Sequence, residues 1–387
     1  MHLANRLSRM RILITNGALS RRSGTERYAV ELAEGLRKRG HEVLLFSPCL
    51  GNTAAELQAD GFTVTDDLAS ILETPDMIHG QHVVVSLRAA CAFPEAPLLY
   101  VCHDGLSRAD EPTPGYMTDA YAAVDRFTAR RITNTTGVGR EAVHLLGNVV
   151  DVDRFQQRST FADTPRKALI YSGSIRTDAH FQLIRKVCIE LGLELHEAGE
   201  RADGFFDQPE EHLHEYDIIF CKARCAMEAM ASGAYVILIG DNGMGEEVDL
   251  QNIEELRHLN FGREALCLPH SEEFLRKRIT SYDAGISKQV SDWVRQNLTP
   301  DAWLDKVEST YQTVVAKPSI RLGIRNFPEG SPTEFRGWKL QFHGKSHQME
   351  CVKMKGTQVK LSKILRECNR IWHQMKSSMG KISERSK

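Results

Sequence analysis

The alternation of short apolar runs with one-sided apolar helices constrains this chain more than any other feature of its sequence. The first run, residues 11–16, has the length of a strand and leads into a loop of small residues over 17–24. A helix with one apolar face follows, ends at Gly40, and gives way to a second strand at 43–47. A strand–helix–strand unit of this kind predicts parallel strands with helices packed on the sheet.

The same alternation continues, is interrupted at residues 148–165, and then starts afresh. Further strands are predicted at 77–78, 98–102, 131–134, 168–172, 193–196, 217–220 and 235–239. Two doubly wound α/β units explain this order better than one, because a single core stops growing near about 250–300 residues and the chain has 387. We therefore predict Rossmann-like domains at 1–156 and 157–286, helices packing back on the body at 287–316, and a tail at 317–387.

Composition narrows the class of protein further. No apolar run approaches the roughly 18 residues of a membrane span, and the first residues lack an apolar stretch long enough for a signal peptide. The nine cysteines are odd in number and include no Cys-x-x-Cys pair. This pattern argues against a disulfide scaffold or a structural zinc module, and it favours a reducing, cytoplasmic setting.

Charge divides the chain into an acidic body and a basic tail. Residues 317–387 contain 16 Lys and Arg against 5 Asp and Glu, a net charge of +11, whereas the rest carries −13. We therefore expect no nucleic-acid partner for the body. The tail also has a one-sided apolar stripe, made of Ile364, Cys368, Trp372 and Met375. Such a tail suits an anionic membrane surface at the inner face of a membrane, and a disordered or body-docked tail is the alternative.

Two loops are predicted at the carboxyl ends of strands, where ligands bind in open α/β sheets. The loop at 17–24 precedes a helix N-terminus that suits a phosphate or a polar sugar, although it matches neither Gly-x-Gly-x-x-Gly nor the P-loop. His103 follows the strand at 98–102 and can act near neutral pH as an acid, a base or an orienting donor. An ordinary βα turn and an Asx turn at Asp104 are the respective alternatives.

The predicted helix at 225–232 contains Glu228, the most specific candidate for a binding residue. It is apolar on every side except at Glu228, and a buried carboxylate without a partner costs several kcal/mol. Lys222 and Arg224 precede Glu228 at the helix N-terminus, where an anion is already favoured. A diphosphate with a nearby sugar hydroxyl would satisfy both ends, and a local pair between Arg224 and Glu228 is the alternative.

Three other motifs are weak, and we predict neither a metal site nor a cofactor. Asp151-Val-Asp153 has the Asp-x-Asp form of a metal motif but lies in the predicted linker. His212 and His214 diverge on a helix within an acidic stretch, which favours a solvated face over zinc. The Gly-Val-Gly at 137–139 lacks the third glycine of a dinucleotide fingerprint.

Five segments, taken in order, resemble the GT-B-fold glycosyltransferases of the glycogen-synthase-like group (glycosyltransferase family 4, or group 1). They are the strand, glycine loop and helix of 11–43, Pro-Asp-Met-Ile-His at 75–79, the histidine-bearing loop at 100–104, the joining segment at 148–155, and Glu-Ala-Met-Ala-Ser-Gly at 228–233. The resemblance covers about residues 10–316. It implies a GT-B fold, in which two Rossmann-like domains face a cleft.

The resemblance also implies an activity. A sugar would pass from a nucleotide-diphosphate sugar to a carbohydrate, lipid-linked or small-molecule acceptor held by the N-terminal domain, without a metal. Basic side chains and a helix N-terminus would neutralise the departing diphosphate. Carried over by motif, His103 would be the catalytic residue at the transfer site and Glu228 would bind the donor ribose. The other donor-binding residues would be Gly24, Gly173, Ser174, Arg176, Lys222 and Arg224.

Two departures from the family pattern leave a second interpretation open. Phe220 stands where the family's Glu-x7-Glu has its first acid, and Gly-Ser-Ile-Arg at 173–176 replaces a Gly-Arg with a nearby lysine. The alternative is a degenerate GT-B protein that binds a nucleotide or a glycan but transfers no sugar. A dinucleotide oxidoreductase is poorly supported without Gly-x-Gly-x-x-Gly.

Overall fold

The computed structural model describes residues 9–21, 23–172, 179–199 and 208–317, and the backbone of three strands beyond them. Its first sheet has seven parallel strands in the order β3-β2-β1-β4-β5-β6-β7. These strands are β1 (Arg11–Thr15), β2 (Glu42–Phe46), β3 (Thr63–Thr65), β4 (Met77–Gln81), β5 (Leu98–Cys102), β6 (Ala120–Ala123) and β7 (Val143–Leu145). The helices between them are α1 (Gly24–Lys38), α2 (Asn52–Ala59), α3 (Val83–Ala92) and α4 (Arg126–Thr136). We call this sheet with its helices the N-terminal lobe.

A second sheet has five strands in the order β12-β11-β10-β8-β9, in which only the pairing of β12 with β11 is antiparallel. These strands are β8 (Lys167–Tyr171), β9 (Glu194–Ala198), β10 (Ile218–Cys221), β11 (Tyr235–Gly240) and β12 (Gly243–Glu247). The helices that accompany them are α5 (Ala179–Glu190), α6 (Ala223–Ala231), α7 (Ile253–His258), α8 (Glu272–Thr280) and α9 (Ala284–Asn297). We call this sheet with its helices the C-terminal lobe. The predicted α/β fold of two doubly wound units is confirmed.

Helices cover both faces of the first sheet, as its parallel strands require. On β1, Ile12 and Ile14 pack on the face covered by α1, whereas Leu13 packs on the opposite face against α3. All three side chains are fully buried. The unbroken apolar run at 11–14 thus reflects a strand that is buried on both sides.

One predicted strand is wrong. Residues 131–134 lie inside α4, which buries Ala129 and Ile132 on one face and has the Asp125 carboxylate accepting the backbone N–H of Thr128 at its start. The strand at this point of the sheet is β6, an alanine-rich segment that pairs with β5 and β7. β6 consists mainly of alanine, which is depleted in strands. The threonines and isoleucine of α4 are β-branched residues, which are typical of strands, and they led to the wrong prediction.

The last helix of the body, α10 (Pro300–Val315), returns to the N-terminal lobe. Trp303 and Tyr311 lie in the same core cluster as Tyr28 and Leu32 of α1. The two helices meet closely at Gly35, where an added Cβ would lie 2.5 Å from Leu304 Cδ1. Glycine at this position therefore permits the packing distance between α1 and α10.

Beyond the body, three antiparallel strands form a separate small sheet: β13 (Thr333–Phe335), β14 (Trp338–His343) and β15 (Gln348–Lys353). They belong to a second compact unit that begins at Gly323. The alternating apolar and polar residues at 338–342 lie in β14. The apolar stripe predicted from Ile364 to Met375 falls outside the described residues. Among the residues that are described, no helix is both long enough and apolar enough to cross a bilayer.

Candidate functional site

The backbone of the loop at 17–24 already binds a carboxylate of the protein itself, that of Glu26. Glu26 is buried in the first turn of α1, and its carboxylate accepts the backbone N–H groups of Ser20, Arg21 and Ser23 at 3.1, 2.9 and 3.2 Å. Burial raises the pKa of Glu26, and these backbone hydrogen bonds oppose that rise. Three amides that could hold a phosphate therefore have a carboxylate partner, while Gly24 is exposed at the start of the helix.

His103 lies directly after β5 and is half-buried. Its ring packs edge-on against Tyr28, with 4.5 Å between the ring centroids, and its Nε2 is buried without a hydrogen-bond partner among the described groups. Burial, followed by the proximity of His82 and His79, lowers the pKa of His103 well below its ordinary value. The ring is consequently neutral at pH 7 and suits hydrogen bonding better than the role of a cationic acid.

Two more histidines approach the same strand ends, and neither was predicted as a site residue. Burial lowers the pKa of His79 to about 3, and its Nδ1 lies 2.7 Å from the Tyr311 hydroxyl. Burial likewise lowers the pKa of His82 to about 4. The His82 Nδ1 accepts the backbone N–H of Gly17 at 2.9 Å, which ties the glycine loop to the end of β4. Both histidines belong to the segment His-Gly-Gln-His at 79–82, which could have indicated them from the sequence.

His82 is also strained, because its φ is +62°, a conformation that side chains other than glycine seldom adopt. Strain of this kind persists only where the surroundings impose it. Gly17 leaves just enough room for the ring, since a Cβ there would lie 3.1 Å from the His82 Nδ1. The contact between glycine loop and histidine is therefore a constrained feature of the site.

The two cations predicted at the start of α6 do not share a partner. Lys222 donates from Nζ to the Asp241 carboxylate at 2.9 Å, and this bond lowers the pKa of Asp241. The Lys222 side chain is 40 % exposed, whereas the Arg224 side chain is only 12 % exposed and turns to the N-terminal lobe. Between them, Ala223 adopts a φ of +52° and donates its N–H to the Phe261 carbonyl.

Glu228 is the most buried charged group of the site, with 1 % of its side chain exposed. Its Oε1 accepts from Arg27 Nη1 at 3.0 Å and from Arg224 Nε at 3.2 Å, and its Oε2 accepts from the Tyr171 hydroxyl at 2.8 Å. The predicted need for a partner is met by the protein itself, and the local pair weighed as the alternative is present. These three donors come from both lobes.

Arg27 and Glu31 of α1 are the functional candidates that sequence reasoning missed. Glu31 binds the Nη2 of Arg224, and burial raises the pKa of Glu31 in spite of that arginine. Burial lowers the pKa of Arg27, but Glu228 and Tyr171 outweigh it, so the net change is a rise. Arg27 and Glu228 are 201 positions apart, which is why local patterns did not reveal the pair.

The other predicted donor residues, Gly173, Ser174 and Arg176, lie outside the described residues. The weak motifs behave as ordinary structure where they are described. Asp151 accepts the backbone N–H groups of Asp153 and Arg154 through one carboxylate oxygen, which is an Asx turn. Within the described ranges, no group of three or more His, Cys, Asp or Glu side chains has the arrangement of a metal site.

Comparison with known proteins agrees with this architecture. Residues 22–154 match the family model described as Glycosyltransferase Family 4. A glycosyltransferase from Rickettsia africae ESF-5 superposes with a TM-score of 0.61 at 15 % identity, covering 80 % of this chain and 99 % of that one. A comparison with curated proteins gives no match.

Anabaena HepE has the same fold. Its complex with UDP and glucose superposes with a TM-score of 0.57 at 13 % identity, covering 79 % of this chain and all of HepE, and its complex with UDP-glucose gives a TM-score of 0.56. At these identities the likeness shows a shared fold. Together with the family match, it confirms the predicted resemblance to family 4 glycosyltransferases of GT-B architecture.

Proposed function

We propose that this chain, in which residues 22–154 match Glycosyltransferase Family 4 on a GT-B fold, transfers a sugar from a nucleotide-diphosphate sugar to an acceptor. The acceptor would be a carbohydrate, a lipid-linked glycan or a small molecule bound by the N-terminal lobe. The structures of HepE, a protein of the same fold, contain UDP and UDP-glucose, which supports a sugar nucleotide as the donor.

One observation carries the proposal: the predicted donor residues of α6 meet α1 of the family-matching segment between the lobes. Glu228 and Arg224 contact Arg27 and Glu31 there. A carboxylate offers about four acceptor positions, and three on Glu228 are taken by protein groups. One position on Oε2 remains for a ribose hydroxyl, in agreement with the role carried over for Glu228.

His103 would act on the transferred sugar or the acceptor hydroxyl as a neutral hydrogen-bonding group. Its buried Nε2 has no partner among the described groups, and Tyr28 fixes the ring from one side. A neutral imidazole whose ring nitrogen is shielded from water stabilises developing charge without first having to lose its own proton. This supports a positioning and polarising role at the transfer site.

The departing diphosphate would be neutralised by Arg224 and Lys222 at the N-terminus of α6, with Arg176 as a third cation and without a metal. Guanidinium groups bind phosphate in a fixed, forked geometry. Stabilisation of the leaving group by fixed cations and helix dipoles is typically the largest single contribution to catalysis of this kind.

A binding protein without transferase activity is the second candidate, and Phe220 favours it. Its side chain is fully buried in the core of the C-terminal lobe, so this position presents no acid to a donor. The carboxylate of Glu228, bound by three side chains, is also compatible with a purely structural role.

The two candidates are separated by measuring binding and turnover on the same protein. Titration with UDP, GDP and ADP would identify the base, and release of that nucleoside diphosphate from its sugar conjugates would then be followed with an acceptor panel. A transferase binds one diphosphate and releases it faster when an acceptor is added. Binding of the sugar nucleotide without release across the panel would favour the degenerate protein, and no binding of any nucleotide would contradict the transferase.

A further inference from the structure

Helices α1 and α6 carry the same short pattern, Arg-x-Ala-x-Glu. It occurs as Arg27-Tyr-Ala-Val-Glu31 on α1 and as Arg224-Cys-Ala-Met-Glu228 on α6. Positions i and i+4 lie on one face of a helix, so each pattern presents a cation and an anion side by side.

The structure joins the two patterns crosswise. Arg27 Nη1 donates to Glu228 Oε1 at 3.0 Å, and Arg224 Nη2 binds Glu31. We call these two contacts the crossed pairs. Each of them runs from the N-terminal lobe to the C-terminal lobe, and Arg224 touches both carboxylates because its Nε also donates to Glu228 at 3.2 Å.

The four side chains of the crossed pairs have a net charge of zero. Glu228 and Arg224 are largely buried, and Arg27 and Glu31 are 23 % and 24 % exposed, so solvent screens their interaction only weakly. A diphosphate is a multiply charged anion, and a cluster that is internally neutral attracts it poorly. Arg224 can therefore bind a phosphate strongly only if it releases a carboxylate.

We propose that Glu31 stands in for the donor diphosphate on Arg224, and that the crossed pairs form a latch between the lobes that opens when phosphate replaces carboxylate. The identity of the incoming anion rests on the proposed function, whereas the latch is a property of the free protein. Glu31 is the carboxylate suited to leave, because among the described residues it has a hydrogen bond only from Arg224, whereas Glu228 has three donors.

The energetics of the pair favour exchange. Burial, together with the negative charge of Glu228, raises the pKa of Glu31 despite the adjacent guanidinium, which means that the ionised carboxylate is held there at a net electrostatic cost. A phosphate group brings more charge and an equally good fit to the guanidinium fork. Glu31 can then move toward water, since its side chain is already partly exposed.

The first test measures the competition. Glu31→Gln removes the charge but keeps the shape, and we expect UDP to bind about tenfold more tightly by calorimetry, with uridine unchanged, because a negative charge next to the phosphate site has gone. Glu34→Gln on the same helix is the matched control and should leave both affinities unchanged. Equal or weaker binding of UDP by Glu31→Gln would overturn the stand-in role.

The second test needs no ligand and therefore separates failure of the latch from failure of the proposed function. Glu31→Arg opposes like charges across the lobes, and we expect faster hydrogen exchange in α1 and α6 than in the parent. Adding Arg224→Glu restores opposite charges across the lobes and should slow the exchange again. Unchanged exchange in Glu31→Arg would rule out the latch, even if UDP binds as proposed.

Discussion

Neutral histidines that are partly or fully buried are the distinctive residues of the N-terminal strand ends. His79, His82 and His103 all have lowered pKa values, and burial is the first cause in each case. Folding around them therefore favours the unprotonated rings, and the free energy of unfolding falls as the pH drops from about 6.5 toward their folded pKa values. Such rings suit recognition of hydroxyl groups over a wide range of pH.

At His103 the expected result is a loss of turnover with little loss of stability. His103→Ala should lower turnover by about 10²–10⁴-fold, as is typical when an acid–base or orienting group is removed. Steady-state kinetics and thermal melting on the same preparation provide the measurement, with His103→Gln as the variant that retains hydrogen bonding. Parallel losses of melting temperature and activity would identify His103 as a structural turn residue.

For Arg224 and Glu228, we expect one substitution to weaken binding of the donor phosphates and the other to weaken binding of the ribose. Arg224→Ala should weaken UDP much more than uridine, and Glu228→Gln should weaken both, with acceptor binding unchanged. Charge-assisted hydrogen bonds contribute about 1.5–3 kcal/mol each, or roughly 10–150-fold in affinity. If both variants bind UDP like the parent, the pair is a structural salt bridge and the donor site lies elsewhere.

At the scale of elements, the sequence was most informative where burial is complete and local. The predicted strand at 11–16 corresponds to β1 (Arg11–Thr15), and the predicted helix at 225–232 to α6 (Ala223–Ala231). Both are nearly unbroken apolar segments, as expected for elements that are buried in a core. By contrast, β6 contains three alanines and is recognisable as a strand mainly through its partners in the sheet.

The same distinction holds for the site. His103 and Glu228 were found because each breaks a local pattern, one at a strand end and one in an apolar helix. Arg27 and Glu31 break no pattern on an amphipathic helix, where charged side chains are ordinary. Their role depends on a contact with α6 that only the folded chain creates.

The contact between α1 and α10 gives a prediction for stability. Gly35→Val places a Cβ where Leu304 Cδ1 lies 2.5 Å away, and overpacking of this kind typically costs about 1–3 kcal/mol. Denaturant unfolding should show the loss. Leu304→Ala in the same chain should return part of it by making room, so that the two changes together cost less than the sum of the single changes. Strictly additive losses would contradict a direct contact.

In the whole molecule, the two lobes are joined at more than one place. Besides the crossed pairs, Arg126 and Arg130 of α4 bind Glu255 and Glu264 across the lobes, and Asn148 donates to Asn260 at 3.1 Å. Polar contacts at such a boundary are typical of lobes that move relative to each other. This arrangement suits an enzyme whose donor and acceptor enter between the lobes.

The basic tail is the remaining feature at this scale, and its charge of +11 predicts attachment to an anionic surface. A polybasic segment gains about 1 kcal/mol per Lys or Arg near such a surface, so even partial engagement should change affinity by about a hundredfold or more. We expect the full chain to sediment with vesicles containing phosphatidylserine, and a chain ending at Ala316 to stay in solution. Vesicles of phosphatidylcholine alone are the control, because they offer apolar contact without charge.

Ionic strength and a substitution in the tail then separate the electrostatic contribution to membrane binding from the apolar one. Raising the ionic strength should release the full chain if charge dominates, since screening shortens the reach of each Lys and Arg. Trp372→Ser should weaken the residual binding at high salt if the apolar stripe also inserts. A truncated chain that sediments as well as the full chain would contradict membrane attachment through the tail. The tail docked on the acidic body would be favoured instead if the full chain remained in solution and truncation lowered its melting temperature.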